Sequence, residues 1–263
     1  MANNLSKVKE KMSKGELLIG TVVSLPDPLI SEMLSCCGFD FIWIDGEHGV
    51  LDNSDINLHI MAVCRSGLAP FVRVAWTDPV IVKPILDMGP AAVIFPYIRT
   101  AEEAKLAVKS CKYPPRGIRG FGPNRANEFS TMDNEEYLNM SESEPWIIIQ
   151  VEHIDAVNNL KDILKVEGVD SILVGPNDLS GSIGQLGKTR HPEVLKLLDR
   201  IALDCNNAGI PFGAGIGLNE ENISDWIRRG ASFLGINNDT SYIMGGGTNC
   251  FKTANEIFRK MKK

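Results

Sequence analysis

The chain has 263 residues, of which 44% are hydrophobic and 23% charged, and its formal net charge is -6. This composition is typical of a globular protein, and the length suits two small domains or one barrel-sized domain. An acidic chain without a basic, aromatic-rich stretch is not expected to bind nucleic acid. No apolar run approaches the roughly 18 residues of a membrane span, and the polar stretch 1–16 lacks the apolar segment of a secretion signal.

Six cysteines are scattered along the chain, and none forms a Cys-x-x-Cys motif. Scattered cysteines without such a motif indicate free thiols in a reducing compartment rather than a disulfide framework. We therefore predict reduced, mostly buried thiols and a cytoplasmic location.

Short apolar runs alternate with segments of helical spacing along the whole chain. A helix is predicted at 5–14, and an irregular insertion at 114–139 is predicted to contain a short helix near 135–140. The last segment is expected to break at Gly245–Gly247 and to be helical again from Thr248. The predicted strands are 17–25, 39–44, 70–75, 91–97, 146–151, 169–174, 210–214 and 232–236.

The helices between these strands begin with recognisable caps. Asp27 and Asp78 each precede a proline, Asn53 opens the helix after the second strand, and Thr100 opens the one after the fourth. Such residues accept hydrogen bonds from the free N–H groups of a first helical turn. Eight strands that alternate with helices imply a parallel sheet, and eight units in about 250 residues favour a closed (β/α)₈ TIM barrel.

The arrangement of the chain favours one domain over residues 1–263. No linker rich in proline, glycine or serine separates two halves, and no Gly-x-Gly-x-x-Gly motif follows the first strand. The missing motif weakens the alternative of an open sheet that binds a dinucleotide. In barrels of this kind the active site lies at the carboxyl ends of the strands, so the candidate residues are sought there.

Two carboxylates follow neighbouring strands in the second half of the chain. Glu152 comes after the strand 146–151, Asp178 comes after 169–174, and one crossover helix separates them. A pair of carboxylates with few other ligands suits Mg²⁺ or Mn²⁺, which keep waters that substrate oxygens can displace. The alternative is that both acids simply cap helices.

A histidine and an arginine follow the second and third strands. His48 lies three residues after Asp45, and an aspartate that orients an imidazole makes a general base near neutral pH. Arg73 ends its strand, where a cation suggests an anionic substrate or a developing oxyanion. The alternatives are a structural hydrogen bond for His48 and a salt bridge from Arg73 to Glu47 or Asp45.

Other residues near the predicted rim have simpler interpretations. Gly175–Ser180 resembles a helix start whose N–H groups could hold a carboxylate. We interpret His59, His153 and His191 as helix-surface or cap residues. Trp43 and Trp76 flank the predicted site, although burial in the barrel core is the commoner fate of such aromatics.

Several motifs together resemble the HpcH/HpaI aldolase family of metal-dependent pyruvate aldolases, over nearly the whole chain. They occur in the order that the family has, which makes the combination far more specific than any one motif. The motifs are Asp40-Phe-Ile-Trp-Ile-Asp45-Gly-Glu-His48, Phe71-Val-Arg73-Val with Asp78-Pro79, Tyr113-Pro-Pro-Arg-Gly-Ile-Arg-Gly120, Gln150-Val-Glu152 and Gly175-Pro-Asn-Asp178-Leu-Ser.

The resemblance implies a barrel that reversibly cleaves 4-hydroxy-2-oxo acids to pyruvate and an aldehyde. It implies Mg²⁺, Mn²⁺ or Co²⁺ held by Glu152 and Asp178, and His48 with Asp45 as the acid–base pair. It further implies Arg73 on the pyruvate oxygen, and a homo-oligomer (trimer or hexamer) that exchanges its last helix. Substrate contacts are implied for Gln150 and for the backbone near Asn177 and Asp178.

The chain departs from the family pattern at three places. Gly213–Leu218 is unusually rich in glycine, His153 follows Glu152, and Asn237-Asn238 precedes Asp239. The first departure concerns the aldehyde specificity, and none removes a predicted catalytic group. Two other functions stay open, an acyl-CoA lyase of the citrate-lyase beta type and a catalytically silent 2-oxo-acid-binding member. No extra basic segment for a CoA diphosphate is found, which ranks the lyase lower.

Overall fold

A computed structural model describes residues 3–262 and contains a closed barrel of eight parallel strands. Each strand pairs with its neighbours in chain order, and β8 pairs with β1 to close the barrel. The prediction of a (β/α)₈ barrel is confirmed. The strands are β1 (Leu18–Val23), β2 (Phe41–Asp45), β3 (Ala69–Arg73), β4 (Ala92–Phe95), β5 (Trp146–Val151), β6 (Ser171–Val174), β7 (Phe212–Ile216) and β8 (Phe233–Asn238).

Helices connect the strands, and a short 3₁₀ helix at Arg125–Ser130 lies within the predicted insertion. Among the described residues, none of the helices combines the length and apolar composition that a transmembrane segment requires. The α-helices are α1 (Leu5–Ser13), α2 (Pro28–Ser35), α3 (Asn53–Arg65), α4 (Pro79–Asp87), α5 (Ala101–Cys111), α6 (Asn134–Ser141), α7 (Ile154–Ile163), α8 (Pro176–Ser182), α9 (Pro192–Ala208), α10 (Glu220–Arg229) and α11 (Asp239–Met261).

The helix starts follow the cap residues closely. Asp27, Asp78 and Thr100 accept hydrogen bonds from backbone N–H groups of the first turn, as predicted. The cap of α3 is Asp52 rather than Asn53, because Asp52 forms a reciprocal capping box with Asp55. Such caps are worth about 1 kcal/mol each and fix where the chain turns away from each strand.

Most strand residues are buried on both faces of the sheet, which explains the continuous apolar runs. Inside the barrel, Phe41 stacks on Phe71 with ring centroids 4.5 Å apart, and Phe233 meets Phe41 edge-on. Leu5 and Val8 of α1 belong to this inner cluster, whereas alternate residues such as Ile42 face the helices outside. The inner aromatic layer fills the barrel, so polar groups concentrate at its rim.

The last helix runs without interruption through Gly245–Gly247, so the predicted break there is wrong. Glycine weakens a helix by about 1 kcal/mol relative to alanine, but it does not block the helical hydrogen bonds. The first turn is anchored because Tyr242 donates to Ile236 O at 3.0 Å and lies 3.0 Å from the Thr21 hydroxyl. Most later residues are exposed, including Phe251 at 70%.

His59 is fully buried, so its prediction as a helix-surface residue is wrong. Its ring nitrogens lie 2.7 Å from the Ser31 hydroxyl and 3.0 Å from Leu25 O, which satisfies both of them. Burial lowers the pKa of the imidazole, while the charges of Asp55 and Asp239 oppose that shift. His153 and His191 are helix caps, as predicted.

The six cysteines are all free, as predicted, but most of them are not buried. Cys111 and Cys205 are buried, Cys64 is partly buried, and the other three are exposed. Burial raises the pKa of Cys111 and of Cys205 to about 12, which leaves these two thiols unreactive. Of the exposed cysteines, Cys36 and Cys37 directly follow α2 and Cys250 lies on α11.

Candidate active site

Asp45 and Arg73 end neighbouring strands and form a buried ion pair. Arg73 Nε donates to Asp45 Oδ1 at 2.9 Å, and Nη2 donates to Oδ2 at 2.6 Å. The register of β2 and β3 places the two residues side by side. Removing two charges from water is costly, and the two parallel hydrogen bonds offset that cost only in this geometry. The predicted alternative of a salt bridge at Arg73 is therefore present.

The Asp45 carboxylate does not orient the His48 imidazole, which corrects that part of the sequence interpretation. Both of its oxygens are taken by Arg73, and Oδ1 also accepts from the backbone N–H groups of Glu47 and His48. The imidazole is instead 3.9 Å from Glu47 Oε2, and the His48 side chain is 69% exposed. A guanidinium competes better than an imidazole for a buried carboxylate because its charge is permanent.

Glu47 joins the same group of charges. Its Oε2 lies 2.8 Å from Arg73 Nη1, so Arg73 faces two carboxylates at once. Burial raises the pKa of Glu47, and the positive charge of Arg73 counteracts that rise. The nearby carboxylates of Asp45 and Asp178 raise it further. The guanidinium is thus held in one plane at the end of β3.

Glu152 is a buried carboxylate of the rim, with 3% exposure. Its Oε1 accepts from the backbone N–H of Tyr97 at 2.9 Å, and Gln150 Nε2 donates to its Oε2. Burial raises the pKa of Glu152 to about 7, and the charges of Glu47 and Asp178 add to the rise. The cap of α7 is His153, so the alternative that Glu152 caps a helix is wrong.

Asp178 lies in the first turn of α8 and is exposed at the rim. The residue at the cap position is Gly175, so Asp178 is not the helix cap either. A side chain at Gly175 would place its Cβ 2.6 Å from Glu152 Oε2. Glycine at this position therefore lets α8 start directly beside Glu152, which brings the two predicted metal ligands onto the same part of the rim.

The oxygen ligands at this rim suit a hard divalent cation that the protein coordinates only in part. Within residues 3–262 no three side chains of His, Cys, Asp or Glu converge on one metal position. Two carboxylates would leave the other positions to water and substrate, as Mg²⁺ prefers. Gln150 Oε1 is buried without a hydrogen-bond partner, and such an atom beside Glu152 suits a water or a ligand that carries protons.

Tyr97 is a rim residue that the sequence analysis missed. It has a φ of 57°, in the left-handed region, and this conformation aims its N–H at Glu152. Its ring lies 6.1 Å from the ring of Trp76, which is 52% exposed, so the expected burial of Trp76 is wrong. Trp43 is buried as expected, with the Arg73 guanidinium 4.9 Å from its ring centroid. A left-handed tyrosine has no signature in sequence, so only the fold reveals it.

Three arginines of the insertion lie away from this rim. Arg116 pairs with Glu142 and Glu167 on the surface, and Arg119 donates to Asp87 at 3.0 Å. Arg125 donates to Met88 O at 2.8 Å. Their contacts are structural within the described chain, and none of them touches a rim carboxylate.

The barrel carries a buried arginine and a group of carboxylates at the carboxyl ends of its strands, where barrel enzymes hold their active sites. The model of the HpcH/HpaI aldolase/citrate lyase family matches residues 19–244. The chain belongs to this family. The resemblance in the motifs is thereby confirmed.

Known relatives agree with this assignment. The 5-keto-4-deoxy-D-glucarate aldolase of Escherichia coli K12 is 37% identical over 235 residues, which cover 89% of this chain and 91% of that protein. The crystal structure of an HpcH/HpaI aldolase from Desulfitobacterium hafniense has a TM-score of 0.88 at 29% identity, over 94% and 96% of the two chains. The prediction of an aldehyde-lyase is confirmed by these relatives.

A more distant barrel shows the same fold. It is the citrate lyase beta subunit of M. tuberculosis, complexed with oxaloacetate and magnesium, with a TM-score of 0.57 at 13% identity over 86% and 92% of the chains. The aldolase names of the relatives support an aldolase, and the acyl-CoA lyase alternative is not better supported.

Proposed function

We propose that this chain is a metal-dependent pyruvate aldolase that reversibly cleaves a 4-hydroxy-2-oxo acid to pyruvate and an aldehyde. The observation that carries the proposal is the buried Arg73, held by Asp45 and Glu47 beside Glu152 at the carboxyl ends of the strands. A fixed guanidinium at this position suits an oxyanion that develops during the reaction. The glucarate derivative that names the relatives is a candidate substrate.

Glu152 and Asp178 would hold Mg²⁺, Mn²⁺ or Co²⁺. When bound, a divalent cation supplies Lewis acidity to the carbonyl and carboxylate oxygens of a 2-oxo acid. Gln150 donates to Glu152 and so fixes the direction of that carboxylate. The backbone N–H groups near Asn177 and Asp178, in the first turn of α8, would receive the substrate carboxylate.

Three side chains would carry the proton and charge chemistry. In the cleavage direction the 4-hydroxyl group loses its proton, the C3–C4 bond breaks, and the electron pair stays on C3 as the enolate of pyruvate. His48, at the open mouth, would take the hydroxyl proton, and Arg73 would stabilise the enolate oxygen. Asp45 would position Arg73 rather than the imidazole. A proton added to C3 then completes pyruvate.

We further propose a homo-oligomer, a trimer or hexamer, in which neighbours exchange α11. Support comes from the exposed apolar side chains of this helix, which is about 34 Å long at 1.5 Å per residue. Ile243, Met244, Phe251 and Phe258 are all more than half exposed. Light scattering should give a multiple of 28.8 kDa. A monomer at micromolar concentration would contradict the proposal.

We also propose that residues 1–263 form one domain and that the protein works in the cytoplasm. The family model spans most of the chain, and the barrel closes with strands from both of its halves. The free cysteines suit a reducing compartment.

The decisive experiment is deuterium exchange of the pyruvate methyl protons in D₂O, followed by NMR, with Mg²⁺ or with EDTA. It requires no knowledge of the aldehyde. We expect exchange that depends on the metal, is lost in Arg73→Ala and is impaired in His48→Ala. Borohydride should trap no lysine with pyruvate. No exchange with metal demonstrably bound would instead support the acyl-CoA lyase or the silent binder.

A further inference from the structure

A cavity of about 1030 Å³ lies outside the strands of the barrel, bordered by α3, the end of α4 and the insertion before β5. Its volume is at the upper end of the range of small-molecule sites. The rim residues Asp45, Arg73 and Glu152 do not line it, so it is separate from the proposed active site. Arg125 of the insertion forms part of its wall.

Arg125 is one of three buried arginines within residues 3–262, and it differs from the other two in its partners. Arg73 and Arg119 each pair with an aspartate. Arg125 is 7% exposed but makes no ion pair with any described residue. Its Nη1 donates to Met88 O at 2.8 Å, and its Nε is buried without a hydrogen-bond partner. A buried guanidinium without a counter-charge is costly, so an anion is expected beside it.

The rest of the lining adds positive charge and little negative charge. Arg65, the last residue of α3, is exposed and lines the same cavity. Asp87 is the one carboxylate among the described lining residues, and it already accepts from Arg119 at 3.0 Å. The cavity therefore presents positive charge to a ligand that enters it.

Apolar side chains supply much of the remaining wall, namely Met61, Pro84, Met88 and Phe129. Phe129 is 58% exposed, and it is the middle one of three consecutive residues with φ between 57° and 67°. This left-handed backbone is costly for residues other than glycine, and such strain concentrates at binding sites. An exposed aromatic ring in the lining suits a ligand that has an apolar body as well as a charge.

From these observations we infer that the cavity binds an organic anion, in which a carboxylate or phosphate head group is attached to an apolar or aromatic body. The head group lies against Arg125, whose Nε donates to it, and the body lies against Phe129 and Met61. A guanidinium suits both head groups because its N–H donors match their oxygens. The inference goes beyond the proposed function, because it assigns a second ligand site away from the rim.

Titration of the full-length protein in its native assembly with phenylacetate, phenylacetamide and acetate, followed by NMR of each probe, tests the inference. Phenylacetamide keeps the ring without the charge, and acetate keeps the charge without the ring. We expect the Kd of phenylacetate to be at least about tenfold lower than either, the scale of a hydrogen bond to a charged group. Excess pyruvate with Mg²⁺ should not displace phenylacetate, because pyruvate would occupy the rim. Equal affinity of the three probes, displacement by pyruvate, or no binding would overturn the inference.

Phenyl phosphate, as a fourth probe, identifies the head group. Tighter binding than that of phenylacetate would assign a phosphate, and weaker binding would assign a carboxylate. Both results require the positive charge of the cavity and support the inference.

Two variants connect the binding to the two arginines of the lining, and a third is the matched control. Arg125→Gln keeps a donor for Met88 O but removes the charge, so phenylacetate should bind at least about tenfold more weakly. Arg65→Gln changes an exposed residue and should weaken binding severalfold. Arg116→Gln, on the surface outside the lining, should bind phenylacetate as the wild type does. Wild-type affinity in Arg125→Gln would mean that this arginine only holds Met88 O. Unchanged affinity in Arg65→Gln would contradict the inference even if Arg125→Gln failed to fold.

Discussion

The two sides of the barrel mouth are built from different chemistry. The charged side, Asp45, Glu47, Arg73 and Glu152, lies at the ends of strands β2, β3 and β5, and its polar groups are mostly buried. Arg73 pairs with Asp45 and Glu47, and Glu152 accepts from the backbone N–H of Tyr97. The amide side, Asn177, Asn222, Asn237 and Asn238, follows β6, β7 and β8, and its side chains are more exposed. Within residues 3–262, Asn238 uses only its side-chain oxygen, which leaves its NH₂ group able to donate. One side holds a fixed arrangement of charges, and the other offers neutral donors and acceptors.

This difference assigns the chemical reaction to the charged side and the choice of substrate to the amide side. Groups that stabilise developing charge must be held in place before the reaction, which requires bonded and desolvated partners. Groups that recognise a substrate tail only need to be free and complementary. We therefore expect changes on the charged side to abolish enolate chemistry, and changes on the amide side to alter the choice of aldehyde.

Arg73→Lys should have the largest effect. Lysine cannot donate two parallel hydrogen bonds to Asp45 and still reach Glu47, so both the oxyanion site and the ion pair are lost. We expect pyruvate exchange to fall by about 10³-fold, the scale of losing one oxyanion donor. The rate of pyruvate methyl exchange, divided by the amount of folded protein found by circular dichroism, measures this loss. Arg116→Lys, on the surface, is the matched control, and equal exchange in the two variants would contradict the role of Arg73.

Glu152→Gln should abolish the stabilisation of the folded protein by a divalent metal. The wild type should gain about 2.7 kcal/mol of stability at a metal concentration of 100 times Kd, because the metal binds only the folded state. The amide keeps the shape of the side chain but loses the charge that binds the metal. Thermal unfolding with Mn²⁺ and with EDTA measures the difference. Glu142→Gln, an exposed acid, should respond as the wild type, and full stabilisation of Glu152→Gln would contradict its assignment as a ligand.

Whether a feature of the structure could be predicted from the sequence depends on whether neighbouring residues in the chain determine it. Strands, most caps and the positions of Glu152 and Asp178 at the rim follow from apolar runs and chain order, so they could be predicted. The partner of Asp45 could not, because Arg73 and His48 are both plausible from sequence and only the register of β2 and β3 decides. Tyr97 reaches Glu152 through an unusual backbone conformation, which depends on how β4 and β5 pack.

The continuity of α11 and the burial of His59 show the same limit. Three glycines in a row locally favour a break, but the flanking residues hold the helix. The polar side chain of His59 suggests a surface position, but its spacing from Ile56 and Val63 places it on the buried face of α3. There the Ser31 hydroxyl and Leu25 O supply polar partners in the interior. Contacts with other parts of the chain decide the burial of His59, whereas the backbone hydrogen bonds of α11 itself continue through its glycines.

A pair of glycine variants compares the two sides directly. A Cβ at Gly175 would lie 2.6 Å from Glu152 Oε2, whereas a Cβ at Gly215 would lie 3.0 Å from the Trp43 ring. Gly175→Ala must displace the carboxylate, so we expect exchange to fall by about tenfold or more, the loss that 1.4 kcal/mol produces. Gly215→Ala should change acceptor preference more than exchange. Equal loss of exchange in both variants would remove the distinction between the sides.

The smallest effect should come from His59, which lies on neither side of the mouth and affects only the stability of the barrel. Because burial lowers its pKa in the folded protein, the unfolded chain binds the proton more readily. Stability should therefore be fully present above the unfolded pKa of about 6.5 and decline as pH falls below it, by at most about 1.4 kcal/mol per pH unit. Denaturant unfolding at pH 5, 6 and 7 in EDTA should show a steeper decline for the wild type than for His59→Gln. Parallel declines would mean that groups other than His59 carry the acid sensitivity; Glu47 and Glu152 cannot, because their raised pKa values make the folded state bind protons more readily and so add stability as pH falls.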